Sequence, residues 1–273
     1  MQAKKKSNSS KKKATGTREW ASSNVNILYG CAHNCRYCYS KKLAIRFKRK
    51  TEETWKIMEL NEKKIEKEYR KRQGRVMFPS SHDILPKFKK EYFKVLQKLL
   101  ESGNSVLITT KPHYEIIKEL CFKFEEFKEL IQFRFTITSI NNELLAFWEP
   151  GAPSFEERLK SLKHAFEQGF KTSVSIEPFL DKNPIPLIKK IQSLTSETIW
   201  VGKMNYIKTN HLIGKEKRFY EAIRDNISLE NITKIINSLK NNKKIRWKDS
   251  IKDMCIRNDI QLPSFQTPEV KEK

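Results

Sequence analysis

The sequence predicts an α/β fold, namely a partial (β/α)6 barrel of the TIM type followed by a helical C-terminal extension. Short apolar runs alternate with helical patterns along most of the chain, and each run is followed by polar or turn residues. The 273 residues suffice for one large domain. Such alternation indicates parallel strands joined by crossover helices. We expect a disordered basic tail over residues 1–16, a core over 17–210 and the helical extension over 211–273.

Six segments have the composition of strands, being short and rich in β-branched or aromatic residues. In chain order they are Val25–Tyr29, Arg75–Phe78, Ser105–Thr109, Phe133–Thr138, Thr172–Ile176 and Thr198–Val201. Helical periodicity and end signals favour helices over Phe88–Ser102, Ser154–Gln168, Lys215–Arg224, Leu229–Leu239 and Asp249–Arg257. Residues 51–73 are highly charged and predict a solvated helix inserted after the first strand–helix unit.

The formal net charge is +23, of which the six lysines of residues 1–16 supply +6, leaving +17 on the rest of the chain. A nucleic-acid partner is one interpretation, because basic surfaces attract phosphate, and compositional bias is the other. No apolar run is long enough to cross a membrane, and no apolar stretch follows the basic N-terminus. We therefore expect a cytoplasmic protein without a membrane partner.

Three of the five cysteines lie close together, with the spacing C-x3-C-x2-C, directly after the first predicted strand. These are Cys31, Cys35 and Cys38, and three thiolates on one loop can converge on one metal centre. Because Fe–S clusters normally take one cysteine per iron, three cysteines leave one iron of a 4Fe–4S cluster open. A zinc site needs a fourth ligand, for which His33 is poorly placed between two cysteines.

This spacing, with the aromatic Tyr37 before the third cysteine, resembles the radical S-adenosylmethionine (SAM) superfamily. Four further segments resemble the group related to spore photoproduct lyase, which is described as DNA-repair-photolyase-like; they are Met77–Asp83, Thr109–His113, Phe147–Ser154 and Ser175–Pro178. The resemblance covers roughly residues 18–206. It implies that the open iron binds SAM and that reductive cleavage yields a 5′-deoxyadenosyl radical, which abstracts hydrogen from the substrate. It also implies a one-electron reductant of the flavodoxin or ferredoxin type.

The resemblance further implies residues that contact SAM, since ligands of such barrels lie at the carboxyl ends of the strands. Ser80 and Asp83 are the expected acceptors for the SAM amino group, and Lys111 is expected to meet the SAM carboxylate. Tyr37 is the expected aromatic neighbour of adenine. The later strands are expected to contribute Thr138, Glu177 and Met204.

One departure from the group concerns the hydrogen donor. Spore photoproduct lyase uses a cysteine after the second strand, whereas Phe78–His82 contains none, so repair of the spore photoproduct itself is not expected. Cys121 is interpreted as a core residue and Cys255 as a candidate substitute donor. Trp148 either stacks on a base at the barrel mouth or covers the core. The alternatives to a nucleic-acid enzyme are a radical SAM modifier of protein or small molecules, and a nucleic-acid-binding protein with a structural or sensory cluster.

Overall fold

A curved parallel sheet is the centre of the molecule. The structure is a computed structural model that describes residues 15–208 and 210–263. In these residues the strands are β1 (Ser23–Asn24), β2 (Leu28–Tyr29), β3 (Glu59–Leu60), β4 (Val76–Met77), β5 (Val106–Thr110), β6 (Ile131–Thr136), β7 (Lys171–Ile176), β8 (Ile199–Val201) and β9 (Ile245–Trp247). Seven of them form one parallel sheet in the order β1-β4-β5-β6-β7-β8-β9, and β2 pairs with β3 in an antiparallel ribbon.

Helices connect the strands. They are α1 (Tyr39–Arg46), α2 (Glu62–Glu66), α3 (Lys89–Glu101), α4 (Tyr114–Lys123), α5 (Asn142–Trp148), α6 (Phe155–Glu167), α7 (Ile185–Ile191), α8 (Gly214–Asn226), α9 (Leu229–Leu239) and α10 (Asp249–Arg257). Crossovers between parallel strands are nearly always right-handed, which places the helices on one side of a sheet that closes toward a barrel. The predicted α/β class and partial barrel are confirmed.

Both faces of the central strand β6 are buried, as parallel sheets require. Phe133 and Phe135 point into the main core, where helices pack on the sheet. The intervening Arg134 points to the inner side, and its guanidinium lies 4.6 Å from the ring centroid of Trp20 and 5.4 Å from that of Trp200. The inner side of the barrel is therefore filled near its base by indole rings.

The predicted first strand, Val25–Tyr29, is wrong in its position. The chain pairs with the main sheet over β1, the Val25 N–H still donates to the Met77 carbonyl at 3.0 Å, and the chain then leaves the sheet to form β2 of the separate ribbon. The Asn26 side chain explains this departure, because its Oδ1 accepts hydrogen bonds from the backbone N–H groups of Ser80 and Ser81, at 2.7 and 2.9 Å. A side chain that bonds to a neighbouring loop competes with continued strand pairing.

The predicted solvated helix over residues 51–73 is also wrong. This segment contains β3 and the short helix α2, and it buries Trp55, Ile65 and Tyr69. The backbone carbonyl of Trp55 accepts a hydrogen bond from the backbone N–H of Cys31, at 3.0 Å. The segment therefore supports the cysteine loop, a role that its charged composition does not indicate.

The C-terminal extension has the three predicted helices, observed as α8, α9 and α10, and one element that was not predicted. Residues Ile245–Trp247 form β9, which pairs in parallel with β8 at the edge of the sheet. Three residues are too few to give a recognisable strand pattern in the sequence. The division at residue 210 stays a prediction.

The segment just before β1 closes the gap between the edge strands. The Gly16 N–H donates to Oδ2 of Asp249 at 2.6 Å, and Glu19 is paired with Lys248 and Lys252 of the β9–α10 region, at 2.5 and 2.9 Å. The predictions for residues 1–14 and 264–273 lie outside the described residues. Within the described part of the chain, no helix is long and apolar enough to span a membrane.

Candidate functional site

A cavity of about 610 Å³ opens where the carboxyl ends of the strands converge. Its size falls in the range of small-molecule sites. Nine of the ten predicted site residues line it, namely Cys31, Cys35, Cys38, Tyr37, Ser80, Asp83, Lys111, Glu177 and Met204. The fold therefore brings together side chains from residue 31 to residue 204, which share no local sequence pattern.

The three clustered cysteines are free thiols on one loop. Cys31 packs against Ala44 of α1 and against Trp55, and Cys38 is the N-cap residue of α1, where its Sγ accepts from the backbone N–H of Lys41 at 3.4 Å. In the part of the chain that the structure describes, no three His, Cys, Asp or Glu side chains are arranged to hold a single metal ion.

The environment of the thiols favours their protonated form when no cation is present. Burial raises the pKa of Cys31 to about 12, and burial raises the pKa of Cys35 well above its ordinary value although Lys111 opposes the shift. Thiolate is the form that binds metal, so loading of the site must release protons and draw on the charge of the metal centre.

Two glycines allow the cysteine loop to lie close to its neighbours. Gly30 has a positive φ of 88°, and a Cβ there would lie 2.5 Å from the carbonyl oxygen of Ile57. A Cβ on Gly151 would lie 2.4 Å from the carbonyl oxygen of Ala32. The Gly151 N–H also donates to the carbonyl of His33, at 3.1 Å. Gly151 of the segment Phe147–Ser154 therefore supports the loop by close backbone contact.

Both carboxylate oxygens of Asp83 interact with protein groups. Its Oδ2 lies 3.1 Å from Nδ1 of His33 and accepts from the backbone N–H of Lys111 at 3.0 Å, while Oδ1 accepts from the Thr110 hydroxyl and from the backbone N–H of Ile84. Burial alone would raise the pKa of Asp83, but His33 and the other partners hold it well below its usual range. Asp83 is an anchor of the cysteine loop, and its predicted contact with the SAM amino group stays a prediction.

His33 connects that carboxylate to a second histidine. Its Nε2 lies 3.3 Å from Nε2 of His113, whose Nδ1 lies 3.7 Å from Oε1 of Glu157. His33 itself is fully buried between the cysteines. From its position between two cysteines, His33 was predicted to be a poor metal ligand. In the structure it bridges Asp83 and His113.

Lys111 interacts electrostatically with all three clustered cysteines. Its Nζ lies 5.7 Å from the ring centroid of Tyr37. Burial lowers the pKa of Lys111, but Cys35, Glu149 and Asp83 outweigh burial and raise it above the ordinary value. The side chain is therefore charged at neutral pH, and it lines the cavity where it can receive an anionic ligand group.

A buried ion pair lies behind Tyr37. Glu149 Oε2 is 2.5 Å from Arg158 Nη2, both side chains being fully buried, and Oε1 accepts from the Tyr37 hydroxyl and, at 2.8 Å, from the Thr138 hydroxyl. Thr138 is the predicted site residue that does not line the cavity, because its hydroxyl faces Glu149. Its contact with SAM stays a prediction.

Trp148 is buried as well, with 1 % of its surface exposed. Its ring packs edge-on against Tyr220 at 4.9 Å between centroids. Of the two readings left open by the sequence, the ring therefore covers the core and does not present a stacking face at the barrel mouth.

Glu177 lies on the opposite wall, at the end of β7. Burial raises its pKa to about 7, although Lys248, whose Nζ lies 3.9 Å from Oε2, opposes the shift. Met204 from the loop after β8 is buried in the same wall and contacts the main core. Ser80 is held by Asn26, whose Nδ2 donates to the Ser80 hydroxyl at 2.9 Å. Asn26 was not predicted, because nothing local marks a residue that positions a distant loop.

Cys121 and Cys255 are both buried in the main core and do not line the cavity. The prediction for Cys121 as a core residue agrees with its position. Because Cys255 lies in the main core and outside the cavity lining, its position gives no support to a role as hydrogen donor.

Three polar atoms in the cavity wall have no hydrogen-bond partner among the described residues. They are the hydroxyl of Thr109 and the indole N–H groups of Trp20 and Trp55, all buried and all on residues that line the cavity. Buried polar groups are normally satisfied, so these atoms favour a bound group. Together with three free thiols and a buried ammonium, they fit a thiolate-bound cluster with an anionic ligand beside it.

Comparison with known proteins gives the family. A family model described as "Radical SAM superfamily" matches residues 25–184, which is more than half of the chain. An uncharacterized protein of Acidianus two-tailed virus is 24 % identical over 251 residues, covering 84 % of this chain and 81 % of its own. An uncharacterized protein of Methanocaldococcus jannaschii is 24 % identical over 177 residues, covering 64 % of each chain.

Solved structures are similar at lower levels. A variant of spore photoproduct lyase aligns with a TM-score of 0.47 and 18 % identity, covering 73 % of this chain and 60 % of that one. Streptococcus suis SuiB bound to the precursor peptide SuiA aligns with a TM-score of 0.40 and 14 % identity, covering 69 % and 37 %. This chain therefore spans about three fifths of the lyase. On the family match over residues 25–184, the chain belongs to the radical SAM superfamily.

Proposed function

We propose that this radical SAM protein holds a 4Fe–4S cluster on Cys31, Cys35 and Cys38 and cleaves SAM reductively. When bound and reduced, the cluster would supply one electron to SAM, whose cleavage would give methionine and a 5′-deoxyadenosyl radical able to take hydrogen from the substrate. The observation that carries the proposal is the convergence of three free thiols and the charged Lys111 on one cavity of ligand size. The substrate class stays open among nucleic acid, protein and small molecules.

The residues of the cavity supply binding and orientation. Lys111 would hold the carboxylate of SAM, because it is a charged ammonium in the cavity wall that interacts electrostatically with Cys35. Ser80 would accept from the amino group, since Asp83 next to it is saturated by protein donors. Glu177 and Met204 would face the ribose and adenine from the opposite wall.

The ion pair behind Tyr37 would fix the position of that ring. Tyr37 donates to Glu149, and burial together with Glu149 raises the pKa of Tyr37 well above its ordinary value. The phenol therefore stays protonated, and the ring lines the cavity. Pre-organisation of this kind reduces the cost of ordering a ligand.

The test is anaerobic reconstitution followed by incubation with SAM and dithionite. We expect about four irons and four sulfides per chain, together with methionine and 5′-deoxyadenosine as products. Replacement of Cys35 by Ala should abolish iron binding. A protein that holds the cluster, shows no change of its EPR spectrum with SAM and gives no 5′-deoxyadenosine would instead have a structural or sensory cluster.

Lys111 allows a sharper test of the SAM site. We expect Lys111→Ala to retain its iron and to bind SAM roughly tenfold or more weakly, since a charge-assisted hydrogen bond contributes about 1.5–3 kcal/mol. The change in the EPR spectrum during a SAM titration measures this affinity. Lys118→Ala, on the exposed face of α4, is the matched control and should bind SAM as the unmodified protein does. Equal affinities for both variants would exclude Lys111 from the site.

A further inference from the structure

The outer face of α1 is a basic and apolar surface directly behind the cysteine loop. We define the α1 surface as Lys42, Leu43, Arg46, Phe47 and Arg49. Residues at positions i, i+1, i+4 and i+5 share one face of a helix, which places the first four together on the exposed side of α1. Phe47 is 61 % exposed and Leu43 38 %, values unusual for large apolar side chains.

The inner face of the same helix touches the cluster site. Ala44 packs against Cys31, Ser40 lines the cavity, and Cys38 caps the first turn. An α-helix with its side chains is about 10–12 Å across. The α1 surface is therefore separated from the proposed cluster by roughly the thickness of one helix.

The charge of this segment is concentrated and of one sign. Residues 41–50 contain six Lys and Arg and no acid. Lys41 and Lys50 are paired with Glu52 and Glu59. By contrast, no carboxylate of a described residue lies within 4.0 Å of Lys42, Arg46 or Arg49.

Those three cations lie over aromatic rings. Lys42 Nζ is 4.5 Å from the ring centroid of Tyr206, and the guanidinium groups of Arg46 and Arg49 are 5.8 and 5.5 Å from that of Phe47. The cations thus frame an exposed apolar centre, an arrangement found at protein interfaces, where a rim of charge surrounds apolar contacts.

We propose that the α1 surface docks an acidic one-electron carrier protein, which reduces the cluster through α1. The inference rests on the proposed function, because SAM cleavage consumes one electron. The carrier would lose that electron and the oxidised cluster would gain it, with no atom transferred. A partner inside the cavity would compete with SAM and substrate. The α1 surface is close to the cysteines and none of its five residues lines the cavity, although Lys42 at its edge lies over Tyr206, which does.

The surface has the features of a transient electron-transfer contact. Such complexes bury small areas and depend on charge to steer the encounter. A nucleic acid would also be attracted, but a polymer bound on the outer face of α1 would have the helix between it and the cavity. Charge complementarity and position together favour the acidic carrier.

The test compares two reductants on one variant. In Lys42→Glu/Arg46→Glu/Arg49→Glu, we expect the Kd for purified flavodoxin, titrated at low salt, to rise about tenfold or more, since each rim charge contributes a fraction of a kcal/mol. 5′-Deoxyadenosine formation at subsaturating flavodoxin should fall by a similar factor. Formation with dithionite, a small reductant, should stay within about twofold, and the iron content should not change.

Two further proteins make the result specific. Lys182→Glu/Lys189→Glu/Lys190→Glu changes the charge equally at exposed positions near and on α7, and it should bind flavodoxin as the unmodified protein does. Lys42→Gln/Arg46→Gln/Arg49→Gln should give an intermediate effect.

Several outcomes would overturn the inference. They are an unchanged flavodoxin Kd in the α1 variant, an equal loss with both reductants, and a loss of oligonucleotide binding without a loss of flavodoxin binding. Absence of 5′-deoxyadenosine from the unmodified protein with dithionite would instead refute the proposed function, while the flavodoxin titration would still report whether the surface docks the carrier.

Discussion

The pair of Glu149 and Arg158 shows what a single buried residue contributes. Removing two charges from water is costly, and the cost is offset only when the remaining donors and acceptors are satisfied. Here Arg158 also donates to the carbonyls of Pro153 and Thr136, at 2.9 and 3.2 Å. The pair joins the end of β6, the loop before α6 and the ring of Tyr37, so its loss should disturb the site as well as the stability.

We expect Arg158→Met to lower the free energy of unfolding by about 3–5 kcal/mol, because it leaves the Glu149 carboxylate buried without its cation. Urea unfolding of the cluster-free protein measures the change. Burial would raise the pKa of Glu149, but Arg158 and Lys111 outweigh burial and lower it. The contribution of the pair is therefore complete at neutral pH and lost as the pH falls through the acid range, so the gap between the two proteins should close on acidification.

Two controls accompany this prediction. The double variant Glu149→Gln/Arg158→Met removes both charges and should be more stable than Arg158→Met alone. Lys234→Met breaks an exposed i, i+4 pair with Glu230 and should change stability little. If Arg158→Met behaved like Lys234→Met, the buried pair would make no special contribution.

The sequence was informative about residues whose chemistry is local. The spacing of three cysteines within eight residues indicates a metal site, and Lys111 follows a recognisable strand. Asp83 and Thr138 were harder, because a carboxylate or hydroxyl at a strand end looks the same whether it faces a ligand or a protein donor. Their actual partners, His33 and Glu149, lie 50 and 11 residues away. Only the folded structure shows whether such a side chain contacts a ligand or a protein group.

At the scale of elements, long buried strands were predicted well and short edge strands were not. β6 and β7 each have six residues with strong strand composition, so pairing and burial reinforce each other. β1 and β9 have two and three residues and depend on the neighbouring strand for their conformation. The edge strands are also the ones joined by the N-terminal segment, so their stability depends on contacts that the local sequence does not reveal.

The ion pair between Glu19 and Lys248 should be the main attachment of that segment. Lys248 is 1 % exposed, and its Nζ also donates to the Gly16 carbonyl at 2.8 Å and lies 4.3 Å from the Trp20 ring. We expect Lys248→Met to lower the free energy of unfolding by about 3 kcal/mol, near the lower end for a broken buried pair because Lys252 still faces Glu19. Thermal unfolding of the cluster-free protein provides the measurement.

Lys252→Met is the matched variant for this element. Its side chain is 22 % exposed and it leaves the shorter contact between Lys248 and Glu19 intact, so its effect should be clearly smaller. Limited proteolysis should cut the segment before β1 faster in Lys248→Met than in Lys252→Met. Equal unfolding and equal cleavage would mean that the segment is held by Trp20 packing and not by the ion pairs.

At the scale of the whole molecule, the net charge of +23 has two explanations, a surface that binds an anionic partner and a compositional bias. The six lysines within residues 1–16 account for +6, and residues 41–50 carry another six cations. If the α1 surface serves a protein carrier, it is not the surface that would bind a nucleic acid, and the two sources of charge can be separated experimentally.

The last prediction makes that separation with salt. Binding through phosphate neutralisation releases counterions, so log affinity falls linearly with log salt, by about 0.9 per phosphate contact on duplex DNA and about 0.7 on single strands. We propose that the protein without residues 1–14 still binds nucleic acid with a slope of several units, because +17 lies outside residues 1–16. The slope should be the same in the Lys42→Glu/Arg46→Glu/Arg49→Glu variant, since the residues of the α1 surface do not line the cavity. Titrations of duplex DNA, single-stranded DNA and RNA between low and moderate salt measure the slope.

Two outcomes would contradict this prediction. If removal of residues 1–14 abolishes all binding, the affinity belongs to the N-terminal lysines. If the full chain does not bind at low salt, peptides and small molecules are the substrates to search.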